Sequence, residues 1–153
     1  MNLDFLIAEL RRDEGVRYTP YTDTTGNQTT GVGHNLSVSP LPVGWIYQLS
    51  DAQVDQLLTQ DLEGMFSRLD ANIPWWRTLD EVRQRVVANM AFNLGVGGLL
   101  TFRNAVTDMK LGFYTAAANG MLSSIWARQV GARAQRLAQA METGIMPDEP
   151  DFV

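Results

Sequence analysis

The stretch DEGVRYTPYTDTTGNQTTGVGH, from Asp13 to His34, decides the fold, because the hydrophobic pattern changes character across it. Immediately before it, Leu3, Leu6, Ile7 and Leu10 recur at helical spacing, which predicts a short amphipathic helix over residues 3–12, stopping near Gly15. After Gly15 the helical period is lost and short, turn-rich segments follow. Tyr18 and Tyr21 flank Pro20, which has no amide proton to give a ladder, so the strands here are short and belong to a small sheet. Gly26 and Asn27 supply a turn, and Gly31 and Gly33 mark a tight or crowded backbone.

Working outward, residues 35–49 hold two prolines and no sustained period, and read as a connector. Ser50 and Gln53 have the spacing of a capping box, opening a helix through about Phe66 with Val54, Leu57, Leu58 and Leu62 on its apolar side. Helical patterns then recur over residues 80–94, ending before Gly95, and over 101–111, 113–122, 124–130 and 132–142. The expected architecture is α+β: a single domain over residues 1–153, with a small β lobe at about 13–50 and a connecting helix at about 50–67. A helical lobe follows at about 68–144, on which helix 3–12 packs. Residues 145–153 form an acidic tail, whose end PDEPDFV (residues 147–153) reads as mobile.

A chain of 153 residues with 45% apolar side chains can bury one substantial core, but not two independent large ones. The formal net charge is -5, which argues against nucleic acid as a partner, since a phosphate backbone rewards a basic surface. The charge is uneven: residues 1–70 carry four basic and ten acidic groups, whereas residues 71–141 carry eight basic and three acidic ones. Such an asymmetry suits an anionic polymer held between two lobes, and suits equally well a set of solvated helix faces. There is no cysteine, so disulfides, thiolate metal sites and a cysteine nucleophile are excluded. His34 is the only histidine, which excludes a multi-histidine metal site; no metal or cofactor is expected. The N-terminal residues carry Asp4, Glu9, Arg11 and Arg12, so they are read as neither a signal peptide nor a membrane anchor.

Glu14 lies where a helix gives way to a sheet, and Asp23 stands at the start of a turn. Thr29, Thr30 and His34 follow on the return strand. If the sheet folds back on the first helix, Glu14, Asp23 and Thr29 converge on one cleft. Two carboxylates in different environments are the minimal equipment for cleaving a glycosidic bond, one as general acid and the other ionised.

The ordered set Glu14-Gly15, Tyr21, Asp23, Gly26 and Thr29-Thr-Gly-Val-Gly-His34 resembles the active-site segment of the phage-type lysozymes, glycoside hydrolase family 24. RQRVVANMAFNLG (residues 83–95), FRNAV, WARQVGARAQR (residues 126–136) and Thr143-Gly144 continue the resemblance in family order over about residues 3–144. The connector Asn35 to Leu49 looks shorter than in the best-known members, and the end PDEPDFV departs from the basic, aromatic end often found there.

The resemblance implies a two-lobe lysozyme-like fold and a muramidase. Glu14 resembles the general acid that protonates the leaving oxygen, and Arg133 stands at the place of the arginine that meets it. Asp23 resembles the second carboxylate. Thr29 resembles the hydroxyl that holds the attacking water opposite the leaving group, which implies inversion; Thr30 is the alternative if the register slips by one. His34 resembles a structural histidine paired with Asp61, and Arg136 is a further supporting group. Phe92, Asn93, Gln129 and Arg133 match positions that line the cleft, where Asn93 replaces a glutamine; core packing serves equally well for Phe92. The resemblance implies peptidoglycan glycan strands as substrate, a monomer acting as an endolysin, and residence in the host cytoplasm until a holin gives access to the wall. No stable insertion in the membrane is implied. Because peptidoglycan is anionic and the chain is acidic, affinity is expected from local cations such as Arg133 and Arg136. A lytic transglycosylase, which uses one carboxylate and leaves anhydro ends, is the nearest rival; a binding module without turnover is the rival from another class.

Overall fold

The computed structural model describes residues 1–150. Its elements run α1 (Leu3–Glu14), β1 (Arg17–Thr22), β2 (Gln28–Gly31), β3 (His34–Asn35), α2 (Asp51–Asn72), a 3₁₀ turn (Pro74–Thr78), α3 (Glu81–Leu100), α4 (Arg103–Leu111), α5 (Tyr114–Leu122), α6 (Ile125–Val130) and α7 (Ala132–Thr143). The three strands form one antiparallel sheet in the order β1-β2-β3. The α+β expectation is borne out, with a small sheet near the N-terminus and helices for most of the remainder.

α1 starts where the Asn2 side chain accepts from the Phe5 amide, and it runs two residues past the predicted end. It closes at Gly15, whose φ of 77° lets its amide turn back to the Arg11 carbonyl at 3.0 Å. Leu6 and Leu10 are fully buried on its inner face, so Glu14 is delivered by a helix anchored in the core. α2 opens on the Ser50–Gln53 capping box, with both reciprocal bonds present at 2.9 and 3.1 Å. It continues past residue 66 because Met65 and Leu69 prolong the buried stripe of Val54, Leu57, Leu58 and Leu62.

The predicted end of the next helix before Gly95 is borne out, and a short further helical stretch follows it within α3. α3 continues to Leu100, interrupted only at Gly95, whose φ of 75° and ψ of 157° kink it. Val96 and Leu99, both buried, carry the axis on beyond the kink, because two more apolar side chains fit the core. No single helix among the described residues is long and apolar enough to cross a membrane.

The expectation of a mobile end is corrected for residues 147–150; residues 151–153 lie outside the described residues. Met146 is buried, the Asp148 carbonyl accepts from Arg12 Nη1 at 2.7 Å, and the Glu149 carboxylate takes Arg85 Nη1 and Nη2 at 2.5 and 3.0 Å. Arg85 is itself buried on α3 and also holds Glu81 and Glu9. Glu9 is fully buried; one oxygen meets Arg85 at 3.0 Å and Oε2 has no partner among the described residues.

Burial therefore pushes the Glu9 carboxyl up to about 7, against the pull of Arg85 and Arg12 and helped by Glu149 and Asp13. The folded state thus holds this proton more tightly than the unfolded chain. Its stabilising effect is complete below about pH 4.5 and is lost as pH rises to about 7. Glu9→Gln will flatten the fall in unfolding free energy over that window by up to about 1.4 kcal/mol per pH unit. Denaturant titrations at pH 5 and pH 8 read it directly; equal pH dependence in both proteins would show that Glu9 does not titrate there.

Candidate active site

Because α1 ends at Glu14, this carboxylate stands at the junction of two cavities, and Asn93 of α3 lines both with it. The first, of about 450 Å³, is bounded by Gly33, Asn35 and Ser39 from the small lobe, Gln60, Asp61 and Arg68 from α2, and Phe92 from α3. The second, of about 500 Å³, is bounded by Arg12 and Asp13 on one side and by Val130, Ala132, Arg133 and Arg136 on the other. Together they make an open groove, with Glu14 where they meet.

Arg133, at the start of α7, is buried and reaches Glu14 Oε1 with Nη1 at 2.9 Å, while its Nε donates to Asn89 Oδ1 at 2.9 Å. Asn89 in turn donates to Asp13 Oδ2 at 3.1 Å, and Arg136 Nη2 meets Asp13 Oδ1 at 2.5 Å. Burial opposes the Asp13 charge, but hydrogen bonds from Arg12 and Asn89 and the charges of Arg12 and Arg133 outweigh it, holding this carboxyl below its usual range. Arg133 and Arg136 thus serve Asp13 and Glu14. Asp13 and Asn89 were missed in the sequence; a polar Asn89 inside the run VVANMA was the available signal.

Asp23 ends β1 and is held by its own turn. The Thr25 and Asn27 amides donate to its Oδ1 at 2.9 and 2.8 Å, and the Thr25 hydroxyl does so at 2.8 Å. The Asn27 amide first, and Thr25 with it, keep this carboxyl below its ordinary range, so Asp23 is ionised at neutral pH. The Asn27 carbonyl accepts the Thr29 hydroxyl at 3.0 Å, which ties Thr29 to the same turn and leaves its oxygen able to accept. Thr29 faces Tyr21 across the ladder, while Thr30 donates to the Thr19 carbonyl at 3.2 Å. The side-chain alternation of β2 turns these two threonines to opposite faces.

His34 is buried, with Nδ1 2.8 Å from Asp61 Oδ2 on α2 and Nε2 2.7 Å from the Ser39 carbonyl. Both nitrogens face acceptors, so both bonds are made only by the doubly protonated ring. The Asp61 bond raises the His34 pKa, burial opposes it, and Ser39 assists. The contribution to stability is complete below about pH 6.5 and is lost as pH rises through the raised folded value. Asp61→Asn should remove about 1 kcal/mol at pH 6 and less at pH 9. Unfolding free energies at these pH values test it, and a loss independent of pH would rule out this titration as the source.

Phe92 and Asn93 line the groove, and Asn93 Oδ1 is engaged by Trp126 Nε1 at 2.7 Å, leaving the amide nitrogen to face the opening. Gln129 is exposed on α6, and neither cavity's lining includes Gln129, Asp23 or Thr29. Gln60, Gly64 and Arg68 of α2 line the first cavity and were not singled out from the sequence; their one-face spacing was the signal. Among the described residues, no group of three or more histidine, cysteine or acidic side chains is arranged to hold a metal.

Comparison with known proteins places this geometry in context. The family model described as phage lysozyme matches residues 11–141. The pre-baseplate central spike protein of Enterobacteria phage T4 is 31% identical over 94% of this chain, which spans only 28% of that protein's length. A probable T4-type lysozyme of Dictyostelium discoideum is 25% identical over 90% of this chain and 93% of its own. The endolysin of Salmonella phage P22 is 26% identical over 76% of this chain and 77% of its own. With the family model extending from α1 through the sheet and into α7, the chain belongs to the phage lysozyme family.

Proposed function

We propose that this protein is a muramidase that hydrolyses the β-1,4 bond between N-acetylmuramic acid and N-acetylglucosamine in peptidoglycan, with inversion and without a cofactor. The observation that supports this most is Glu14, set on the groove against the Arg133 guanidinium; Asp23, kept ionised by its turn, supplies the second carboxylate in this reading. Glu14 donates a proton to the leaving oxygen as the glycosidic bond breaks. Asp23, ionised, takes the proton of the water that attacks the opposite face of the sugar, and the Thr29 hydroxyl accepts a hydrogen bond from that water and positions it. Phe92, Asn93 and Gln129 contact the glycan strand in this reading, and Arg133 orients Glu14.

The biological setting in this reading is that of an endolysin. A monomer waits in the host cytoplasm, reaches the wall with the help of a holin, and lyses the cell. The 31% identity to a baseplate spike protein favours a second setting, a lysozyme carried on the virion that opens the wall at entry. Mass spectrometry of purified virions separates the two.

The chemistry is tested by mass spectrometry of digested peptidoglycan. Reducing N-acetylmuramic ends carrying one oxygen from labelled water are the expected product, with the α-anomer appearing first by NMR. Anhydro ends would instead make the protein a lytic transglycosylase, and no cleavage would leave a binding module.

A further inference from the structure

The cations expected from the sequence to grip an anionic glycan are taken up inside the protein. Arg133 holds Glu14 and Asn89, and Arg136 holds Asp13. In the first cavity both acids have their own counter-ion: Glu14 has Arg133, and Asp61 has His34. The cavity lining contains one arginine or lysine, Arg68 on α2. Arg68 is exposed, and among the described residues its guanidinium has no ion-pair partner. One turn earlier on the same helix stands Gly64, also in the lining. A Cβ at Gly64 would lie 3.7 Å from Arg68 Nη1, so the guanidinium lies back over the glycine, along the groove. Glycine inside a helix costs roughly 0.5 to 1 kcal/mol, a cost the core gives no reason for at this exposed position.

We propose that Arg68 is a substrate-binding residue that recognises a carboxylate of peptidoglycan beside the scissile bond. Gln60 and Ser39 on the same wall supply neutral hydrogen-bonding groups. A guanidinium presents a planar fork of donors that matches a carboxylate with two parallel bonds. The carboxylate belongs either to the stem peptide or to the lactyl group of muramic acid whose peptide has been removed. This inference rests on the muramidase reading for its substrate, and it explains how a chain of net charge -5 binds an anionic wall.

The test is equilibrium binding to soluble glycan strands in the Glu14→Gln background, so that turnover does not intervene. Three polymers are compared: peptide-bearing strands, the same strands with every carboxylate converted to an amide by carbodiimide, and strands stripped of peptide by an amidase. Arg68→Gln should weaken binding to the strands that carry the recognised carboxylate about tenfold and have no such effect on the amidated ones, while Arg68→Lys, which keeps the charge without the fork, recovers only part of the affinity. Weakening on the peptide-bearing strands that is lost on the stripped ones assigns the stem peptide, and weakening confined to the stripped strands, where the amidase exposes the lactyl carboxylate, assigns the lactyl group. Equal affinity of wild type and Arg68→Gln for both the peptide-bearing and the stripped strands, or equal loss on charged and amidated strands, overturns the proposal. Failure of the muramidase reading is seen separately, as absence of cleaved ends with the unsubstituted protein, and leaves the binding comparison readable.

Discussion

Glu14→Gln will lower the rate of glycan cleavage by about 10³-fold while leaving the protein folded. The amide keeps the oxygen that accepts from Arg133 Nη1 and has nearly the same shape, so the groove is preserved. What is lost is the proton for the leaving oxygen, and no other carboxylate shares Glu14's place in both cavities. Arg133 keeps its bond to Asn89 and its approach to Asp13 at 3.7 Å, so the stability loss should stay near 1 to 2 kcal/mol. Turnover of soluble peptidoglycan, with the unfolding midpoint measured on the same sample, checks both halves. A folded variant retaining a tenth or more of the rate would show that Glu14 is not the general acid.

The segment Asp13 to His34 was legible because its information is local. A lost helical period, a proline between two tyrosines and a glycine-rich return are enough to announce a short sheet beside a helix end. The capping box at Ser50 was legible for the same reason. Where the outcome depended on residues far apart in the chain, the sequence fell short. Glu149 is ordered by Arg85, 64 positions away, and nothing in the acidic end announces that partner. Gly95 was legible as a stop, and its φ of 75° and ψ of 157° end the regular helix there; the short stretch after it was not, because the core that buries Val96 and Leu99 draws on distant residues.

The candidate site divides along the same line. Glu14, Asp23 and Thr29 lie within one motif, so the sequence singles them out as a set, although only Glu14 lines the groove. The groove's far wall draws on α2, α3 and α7, so the place of Arg68 in its lining and the internal ion pairs of Arg133 and Arg136 emerged only with the fold. A count of charges by segment cannot tell a cation aimed at substrate from one spent on a neighbour.

Asp13 carries the largest expected effect on stability. Its side chain is only 2% exposed, yet it accepts from Arg12, Asn89 and Arg136 and lies 3.7 Å from Arg133. Asp13→Ala would leave Arg133 with only the Glu14 carboxylate as anionic partner and Arg136 with no ion pair among the described residues. Breaking a buried ion network from one side costs about 3 to 5 kcal/mol, because the partner charges stay desolvated. Asp13→Asn keeps acceptor oxygen for one donor and should lose less. The same vacancy frees Arg136 to compete for Glu14, so turnover should fall in Asp13→Ala even at temperatures where it is fully folded. Denaturant unfolding at pH 7 gives the first effect, and rates measured well below the lowered midpoint give the second. A stability loss under about 1 kcal/mol would mean that water replaces the carboxylate without penalty, and that the network does not hold the α1 end against α7.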